Sequence, residues 1–314
     1  MILNDDKKIA MISKIAFLYY KKNKNQQEIA ELMSIARPTI SRLLNEAKDL
    51  ELVDFNVKYP WRSKDLEKKI LSKFKVSEAI VIESISDSDE NIIKEIGIAA
   101  ANYLSPILDK IENIGISWGQ SLYTMIDQLD NKNSSVKNVI QMIGATGYEN
   151  NTNNGPFLAK FLSEKLNSKC IMLHSPLVVE NSNIAKSLMN DNNIKNTLEK
   201  IESVDIAFVG IGCTDINHNS LYKTGYIDKK ELDEIKKSGA VGDICAHYYD
   251  KDGKELDIDI NSRVIGVNLS QLKNIKKVVA VASGIVKSEA TYSALIGEYI
   301  DTIIIDSELA RSIL

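Results

Sequence analysis

Seven short apolar runs, at residues 79–82, 114–117, 139–143, 170–173, 204–209, 278–282 and 302–305, recur along the last three-quarters of this 314-residue chain. They limit its fold more than any other feature. The runs are continuous rather than alternating with polar residues, so they suit strands buried on both faces. Helical segments separate them, and that order assembles into a largely parallel sheet with helices on both sides. Residues 76–314 are therefore expected to form an α/β domain with an open, mainly parallel, doubly wound sheet.

The first sixty residues follow a different pattern. Residues 25–48 predict two short helices joined by a tight turn, with Ile29, Ala30 and Met33 on one apolar stripe and Ile40, Leu43, Leu44 and Ala47 on the other. Pro38 suits the first turn of the second helix, where a missing N–H costs nothing. The polar face of that helix carries Thr39, Ser41, Arg42 and Asn45, side chains suited to base edges, with Arg37 and Lys48 placed for phosphates. The pattern fits a helix-turn-helix, against the alternative of an ordinary helical hairpin. A preceding helix over 7–20 would cover the pair with Ile9, Ile12, Ile15, Ala16, Leu18 and Tyr19. Residues 51–59 alternate at period two, as a small wing strand would. Pro60-Trp61 then punctuates the chain, and Ser63 can cap a helix bearing Leu66, Ile70, Leu71 and Phe74. The expected organisation is an all-α helix-turn-helix domain over 1–59, with 51–59 as its candidate wing, a linker helix over 60–75 and the α/β domain over 76–314.

The net charge of −4 hides an asymmetry: residues 1–60 hold ten Lys and Arg against eight Asp and Glu, which leaves −6 for the remainder. A slightly basic module on an acidic body fits a protein that meets DNA at one end. Cys170, Cys213 and Cys245 are widely spaced and odd in number, as expected of structural thiols in a reducing cytosol rather than of metal ligands. The start of the chain lacks the regions of a signal peptide, and no apolar run is long enough to cross a bilayer. A cytoplasmic protein with no metal or cofactor is expected.

In an open parallel sheet, ligands bind beyond the carboxyl ends of the strands. After the second run comes Gly115-Ile-Ser-Trp-Gly-Gln-Ser-Leu122, a strand entering a Gly turn and a helix that starts near Gln120. Backbone N–H groups and the helix dipole converge there, with Ser117 and Ser121 as added donors, a geometry suited to phosphate. Gly144, Ala145 and Thr146 put small residues at the next strand end, and residues 209–214 do the same further on. Asp243 offers a carboxylate to sugar hydroxyls, and Lys287 a cation one turn beyond a strand. The segment Gly115-Ile-Ser-Trp-Gly119 also matches the G-x-S-x-G elbow of α/β-hydrolases, with His174, His218 and His247 downstream. Only one candidate strand precedes Ser117, however, and no Gly-rich oxyanion loop accompanies it.

Four stretches, in this order and spacing, carry a family resemblance over nearly the whole chain: Gln27-Glu-Ile-Ala30 with Arg37-Pro-Thr-Ile-Ser-Arg-Leu-Leu44; Gly115-Ile-Ser-Trp-Gly119; Gly239-Ala-Val-Gly-Asp-Ile-Cys245; and Ser283-Gly284 with Lys287, leading to Ala294-Leu295 and Ile304-Ile-Asp306. The chain resembles the SorC-type family of sugar-responsive bacterial transcription regulators. That resemblance implies an N-terminal DNA-binding domain and an effector domain similar to sugar-phosphate isomerases and deaminases but without catalysis. It further implies a homo-dimer or homo-tetramer that binds double-stranded operator DNA and responds to a phosphorylated sugar. Carried onto this chain, Gly119, Gln120, Ser121 and Leu122 would cradle the phosphate, Asp243 would meet sugar hydroxyls, Lys287 beside Gly284 would meet the phosphate or a nearby hydroxyl, and His247 would share the pocket of Asp243. The chain departs from the family pattern at Gly144-Ala145 and Ser283-Gly284, where two glycines are common, and at Ile143, where some members carry a lysine able to form a Schiff base. The alternative is an active sugar-phosphate isomerase or deaminase fused to a DNA-binding module, with Asp243 and His247 as its acid–base pair.

Overall fold

The structure, a computed structural model, describes residues 5–53, 61–84, 88–129, 134–145 and 154–314. It divides into two compact units, Met1–Lys58 and Tyr59–Leu314, each with its own core.

In the first unit, α1 (Asp5–Ala16) widens into one π-helical turn at Phe17–Lys21 instead of continuing as the expected α-helix through Tyr20. The widening coincides with four bulky side chains in a row, which crowd successive turns, and Tyr19 meets Tyr20 edge-on at 4.9 Å. Helix α2 (Gln26–Met33) starts at a full capping box: the Asn25 side chain accepts from the N–H groups of Gln27 and Glu28, and the Glu28 carboxylate accepts from the Asn25 N–H. It stops at Ser34, which takes a left-handed φ of 55°. Helix α3 (Arg37–Asp49) follows with Pro38 in its first turn. Ile40, Leu43, Leu44 and Ala47 of α3 are buried against Ile12, Ile15 and Ile29. Residues 51–53 are irregular, and most of the expected wing, 54–59, lies outside the described residues.

The second unit opens with α4 (Lys64–Lys73), β1 (Glu78–Ile82), α5 (Asp89–Leu104), β2 (Asn113–Ile116), α6 (Gln120–Asp127), β3 (Asn138–Gln141), α7 (Gly155–Lys165) and β4 (Lys169–Ile171). It continues through α8 (Ser182–Met189), α9 (Asn192–Lys200), β5 (Ile206–Gly210), β6 (Gly212–Cys213), α10 (Ser220–Lys223), α11 (Lys229–Lys237), β7 (Ala240–Ile244) and β8 (His247–Asp250). It closes with α12 (Asp259–Arg263), α13 (Leu269–Leu272), β9 (Val278–Val281), α14 (Ser288–Ile296), β10 (Thr302–Asp306) and α15 (Ser307–Ile313). Seven strands pair in parallel in the order β1-β10-β9-β5-β2-β3-β4, and each contains part of one of the seven apolar runs.

Alternate residues of these strands enter two cores. Ile80, Ile82, Ile114, Ile116, Ile206, Phe208, Val279 and Val281 pack with α5, α6 and α7 on one face. Ala79, Val81, Ala207, Val209, Val278 and Ala280 pack with α4, α14 and α15 on the other. Burial on both faces is why the runs are unbroken. Ser63 stands at the N-cap of α4 but makes no cap bond there. The anchor is instead Glu67, buried and accepting from Arg62 Nε at 2.6 Å, Lys64 Nζ at 2.9 Å and the Val81 N–H at 3.3 Å. A feature with no counterpart in the expected architecture is a small antiparallel sheet, β6-β7-β8, on the α14 side.

Candidate functional site

From β2 the chain adds β3 and β4 on one side, then crosses back to place β5 on the other. Such a reversal opens a crevice at the carboxyl ends of the strands. Here it holds a cavity of about 430 Å³, walled by the segments that leave β2, β5 and β9 and by the start of α5.

Gly119, Gln120, Ser121 and Leu122 form the wall at the end of β2. Gly119 has φ of 126°, a conformation that favours glycine, and it begins α6 with no side-chain cap. The first N–H groups of α6 therefore turn toward the cavity, where an anion suits both them and the dipole. Trp118 lines the same wall. Ser117 does not: its hydroxyl is buried, without a hydrogen-bond partner among the described residues, and lies off the cavity lining.

Asp243, on β7, reaches the cavity from the small sheet and is 6% exposed. Its Oδ2 accepts the Ala246 N–H at 3.2 Å. A Cβ on Gly212 would stand 2.0 Å from its Oδ1, so β6 needs glycine there for the carboxylate to fit. Burial pushes Asp243 up to about 6, against the opposing pull of the Ala246 N–H and Lys287. Lys287 lines the cavity from beyond β9. Burial lowers its pKa, and Cys213, Asp243 and Asp306 pull it back up. Gly284, with φ of 90°, turns the chain into that segment and donates its N–H to Asp306 Oδ2 at 2.8 Å.

Three other expected residues lie elsewhere. His247 is buried off the cavity, its Nδ1 3.1 Å from the Cys245 carbonyl, and burial pushes it down to about 4. The hairpin explains the separation. Asp243 faces Tyr248 across the ladder and Ile244 faces His247, so Asp243 and His247 point to opposite sides of the sheet. Gly144 and Ala145 are also off the cavity. The space beside Gly144 is taken by the Pro176 and Leu177 backbone, and Ala145 donates its N–H to Ser175 O at 2.7 Å. Thr146 lies outside the described residues, as does most of the Asn-rich stretch after it.

The cavity also contains residues not expected in it: Asp89, Ile92 and Ile93 of α5, and His218, Ser220, Lys223 and Thr224, of which His218 is named above only as a histidine downstream of the G-x-S-x-G segment. The second group comes from the excursion after β5 and is fixed by Asn219. That side chain is fully buried; its Nδ2 donates to Cys213 O and Tyr248 Oη, and its Oδ1 accepts the Tyr222 N–H. The glycine-rich strand end at 209–214 is the available signal, and Lys223 lies nine residues beyond it.

In the first unit, α3 turns Arg37, Arg42, Asn45 and Lys48 to solvent, with Thr39 and Ser41 half-buried beside them. Glu46 pairs with Lys8 of α1 and lies 4.0 Å from Arg42. Among the described residues no cluster of His, Cys, Asp or Glu is placed to hold a metal ion, and no helix is long and apolar enough to cross a membrane.

Comparison with known proteins places these features in a family. Residues 60–314 match the family model described as "Putative sugar-binding domain". The chain is 29% identical to the deoxyribonucleoside regulator of Bacillus subtilis over 98% of both chains. It superposes on the full-length sorbitol operon regulator SorC of Klebsiella pneumoniae with a TM-score of 0.80 and 26% identity, over 96% of this chain and 97% of that one. A DeoR family transcriptional regulator from Listeria monocytogenes gives 0.74 and 32% identity over 80% of this chain and 98% of its own. These relatives are regulators and not enzymes, which sets aside both the hydrolase and the active-isomerase readings. The chain belongs to the sugar-binding-domain family of SorC-type transcription regulators.

Proposed function

We propose that the chain is a cytoplasmic helix-turn-helix regulator whose operator binding is controlled by a phosphorylated sugar or polyol in the switch-point cavity. The observation that carries this reading is the cavity itself: an uncapped helix terminus at one strand end, with a buried carboxylate and a lysine in the same enclosure. The α6 terminus with Ser121 receives the phosphate, and Asp243 accepts from sugar hydroxyls. In the first unit, α3 is the recognition helix. Thr39, Ser41, Arg42 and Asn45 enter the major groove, while Arg37 and Lys48 hold phosphates. One short helix reads too few base pairs for specific binding, so the working form is a homo-dimer or homo-tetramer on two half-sites. The sugar acts by binding two packings of the oligomer with different affinities.

Thermal unfolding against a panel of phosphorylated and unphosphorylated sugars and polyols tests the pocket, because a ligand of the native state raises the midpoint. Trp118 on the cavity wall gives a second readout in a Trp61→Phe background, since the chain has two tryptophans. Ser121→Glu places a negative charge in the cradle and is expected to abolish the shift while DNA binding persists. An unchanged shift removes Ser121 from the site. Arg42→Ala is expected to weaken binding to a duplex selected from a random pool by roughly ten- to a hundredfold, with the fold intact. Equal affinity for that duplex takes Arg42 out of the interface.

A further inference from the structure

We infer that the exposed face of the linker helix α4 is a second DNA surface, which holds backbone phosphates in addition to those assigned to α3. The inference rests on the first unit being a DNA-binding domain and adds a contact that lies outside it. Residues 61–75 hold six Lys and Arg against two Asp and Glu, a net +4, whereas residues 76–314 sum to −10. This cationic segment follows the first unit directly: that unit ends at Lys58, and α4 starts at Lys64. An acidic body repels a polyanion, so a positive stretch at its entrance governs how closely a duplex can run past it.

Within α4 the charges are sorted by face. Leu66 and Ile70, with Phe74 at the end of the helix, are buried in the core. Glu67 is buried with them and answers both Arg62 and Lys64. Asp65 is exposed and pairs with Lys69 at 2.7 Å. Lys75 reaches Glu298 at 2.6 Å, and Lys73 donates to the main-chain oxygens of Ile313 and Leu314. Lys68 forms no ion pair among the described residues. On the solvent side Lys64, Lys68 and Ser72 follow one another every four residues, about 6 Å apart along the axis, with Lys69 beside them. Such a face destabilises its own helix, because Lys64 and Lys68 repel at i,i+4 and Lys64 in the first turn opposes the dipole. A row of anions relieves both effects. The phosphates of one strand advance about 3.4 Å each along a duplex, so one 6 Å step spans about two of them. Lysine meets phosphate as a point charge on a flexible stem, and these contacts add affinity without choosing a sequence.

The test is anisotropy titration of a labelled random-sequence duplex of about 40 base pairs with the full-length protein over a salt series. Lys68→Gln with Lys69→Gln is expected to weaken binding at about 100 mM salt by roughly tenfold or more, and to lower the slope of log affinity against log salt by roughly one for each lysine engaged. Lys68→Arg with Lys69→Arg is expected to restore both. Lys229→Gln with Lys230→Gln removes the same charge from the exposed start of α11 and is expected to change neither. Parent affinity and slope in the α4 glutamine variant overturn the inference. An equal loss in the α11 variant does the same, since the effect is then one of net charge. A loss that arginine does not restore, or that accompanies a changed oligomeric state in light scattering, assigns the lysines to holding the fold or the assembly and also overturns it. In all of these the parent binds the duplex, and the DNA-binding reading stands. A parent that binds no duplex at low salt overturns that reading and the inference with it.

Discussion

Asp243→Asn is expected to make the unliganded protein more stable at pH 8 while abolishing its response to effector. The carboxyl is buried against the small sheet, and burial raises it from 3.8 to about 6. A folded-state pKa above the unfolded one means that the folded protein binds more protons between about pH 4 and 6. The associated stability is complete below pH 4 and is lost as pH rises through 6. Above that range the native state holds a desolvated negative charge, worth on the order of 1–3 kcal/mol for a shift of this size. Asparagine keeps an oxygen for the Ala246 N–H and removes the charge. Urea unfolding at pH 4 and pH 8 is the measurement: the variant should gain stability at pH 8 and little at pH 4. His247 has the opposite linkage. Its pKa is pushed down to about 4, so its contribution is present above 6.5 and is lost as pH falls through 4. That residue is common to both proteins and cancels in the difference. A stability gain of equal size at both pH values would show that the carboxylate is not the costly group.

The same corner of the fold stores a second cost. The β7–β8 hairpin turns on Cys245 and Ala246, both at positive φ, 54° and 64°, where two-residue hairpins usually place Asn or Gly. Neither residue takes that conformation readily, and both are buried. The carboxyl of Asp243 and the glycine at 212 that leaves room for it line the cavity, and the strained turn stands behind them, its Ala246 N–H donating to that carboxylate. Stability given up in one place, where the rest of the unit is densely packed, is the pattern of a site kept for binding.

How far the sequence revealed this site follows from the reach of each interaction. The seven parallel strands were legible because burial on both faces writes itself as unbroken Ile and Val. The α6 terminus was legible because strand, Gly119 and helix start lie within a few residues. The small sheet was not: β6 is Gly212 and Cys213, β7 contains a glycine and an aspartate, and the turn between β7 and β8 has no glycine to mark it. Missing that hairpin also misplaced His247, since proximity along the chain says nothing about which face of a ladder a residue occupies. Lys223 escaped for another reason. Its place depends on Asn219 reaching Tyr248, 29 residues away, and no local pattern encodes that contact. Gly144 misled in the opposite direction: its small size admits the Pro176 backbone rather than a ligand.

Leu43→Ala is expected to unfold the N-terminal unit and leave the α/β unit able to bind effector. Leu43 is 2% exposed, on the inner face of α3, and its neighbours in that core are Ile12, Ile15, Ile29, Ile40 and Leu44. Truncating a buried leucine costs about 2–5 kcal/mol through lost burial and the cavity left behind. Nine residues form this buried core among the described residues of a 58-residue unit, and so small a core has little stability in reserve. The capping box at Asn25 and the Lys8–Glu46 pair, which are exposed or partly exposed, offset only a fraction of that loss. The larger unit has two extensive cores of its own, and none of their residues belongs to the damaged one. Calorimetric melting of the full chain should therefore show the transition of the α/β unit at its usual temperature, still raised by whichever sugar phosphate raises it in the parent protein, while binding to the selected duplex disappears. Ile184→Ala, at a leucine-sized side chain 38% exposed on α8, should change neither. A Leu43→Ala protein that still binds the duplex would mean that the small core tolerates the cavity. If its α/β transition moved in step with the loss of DNA binding, the two units would have to unfold as one, and the division of labour proposed for them would need to be redrawn.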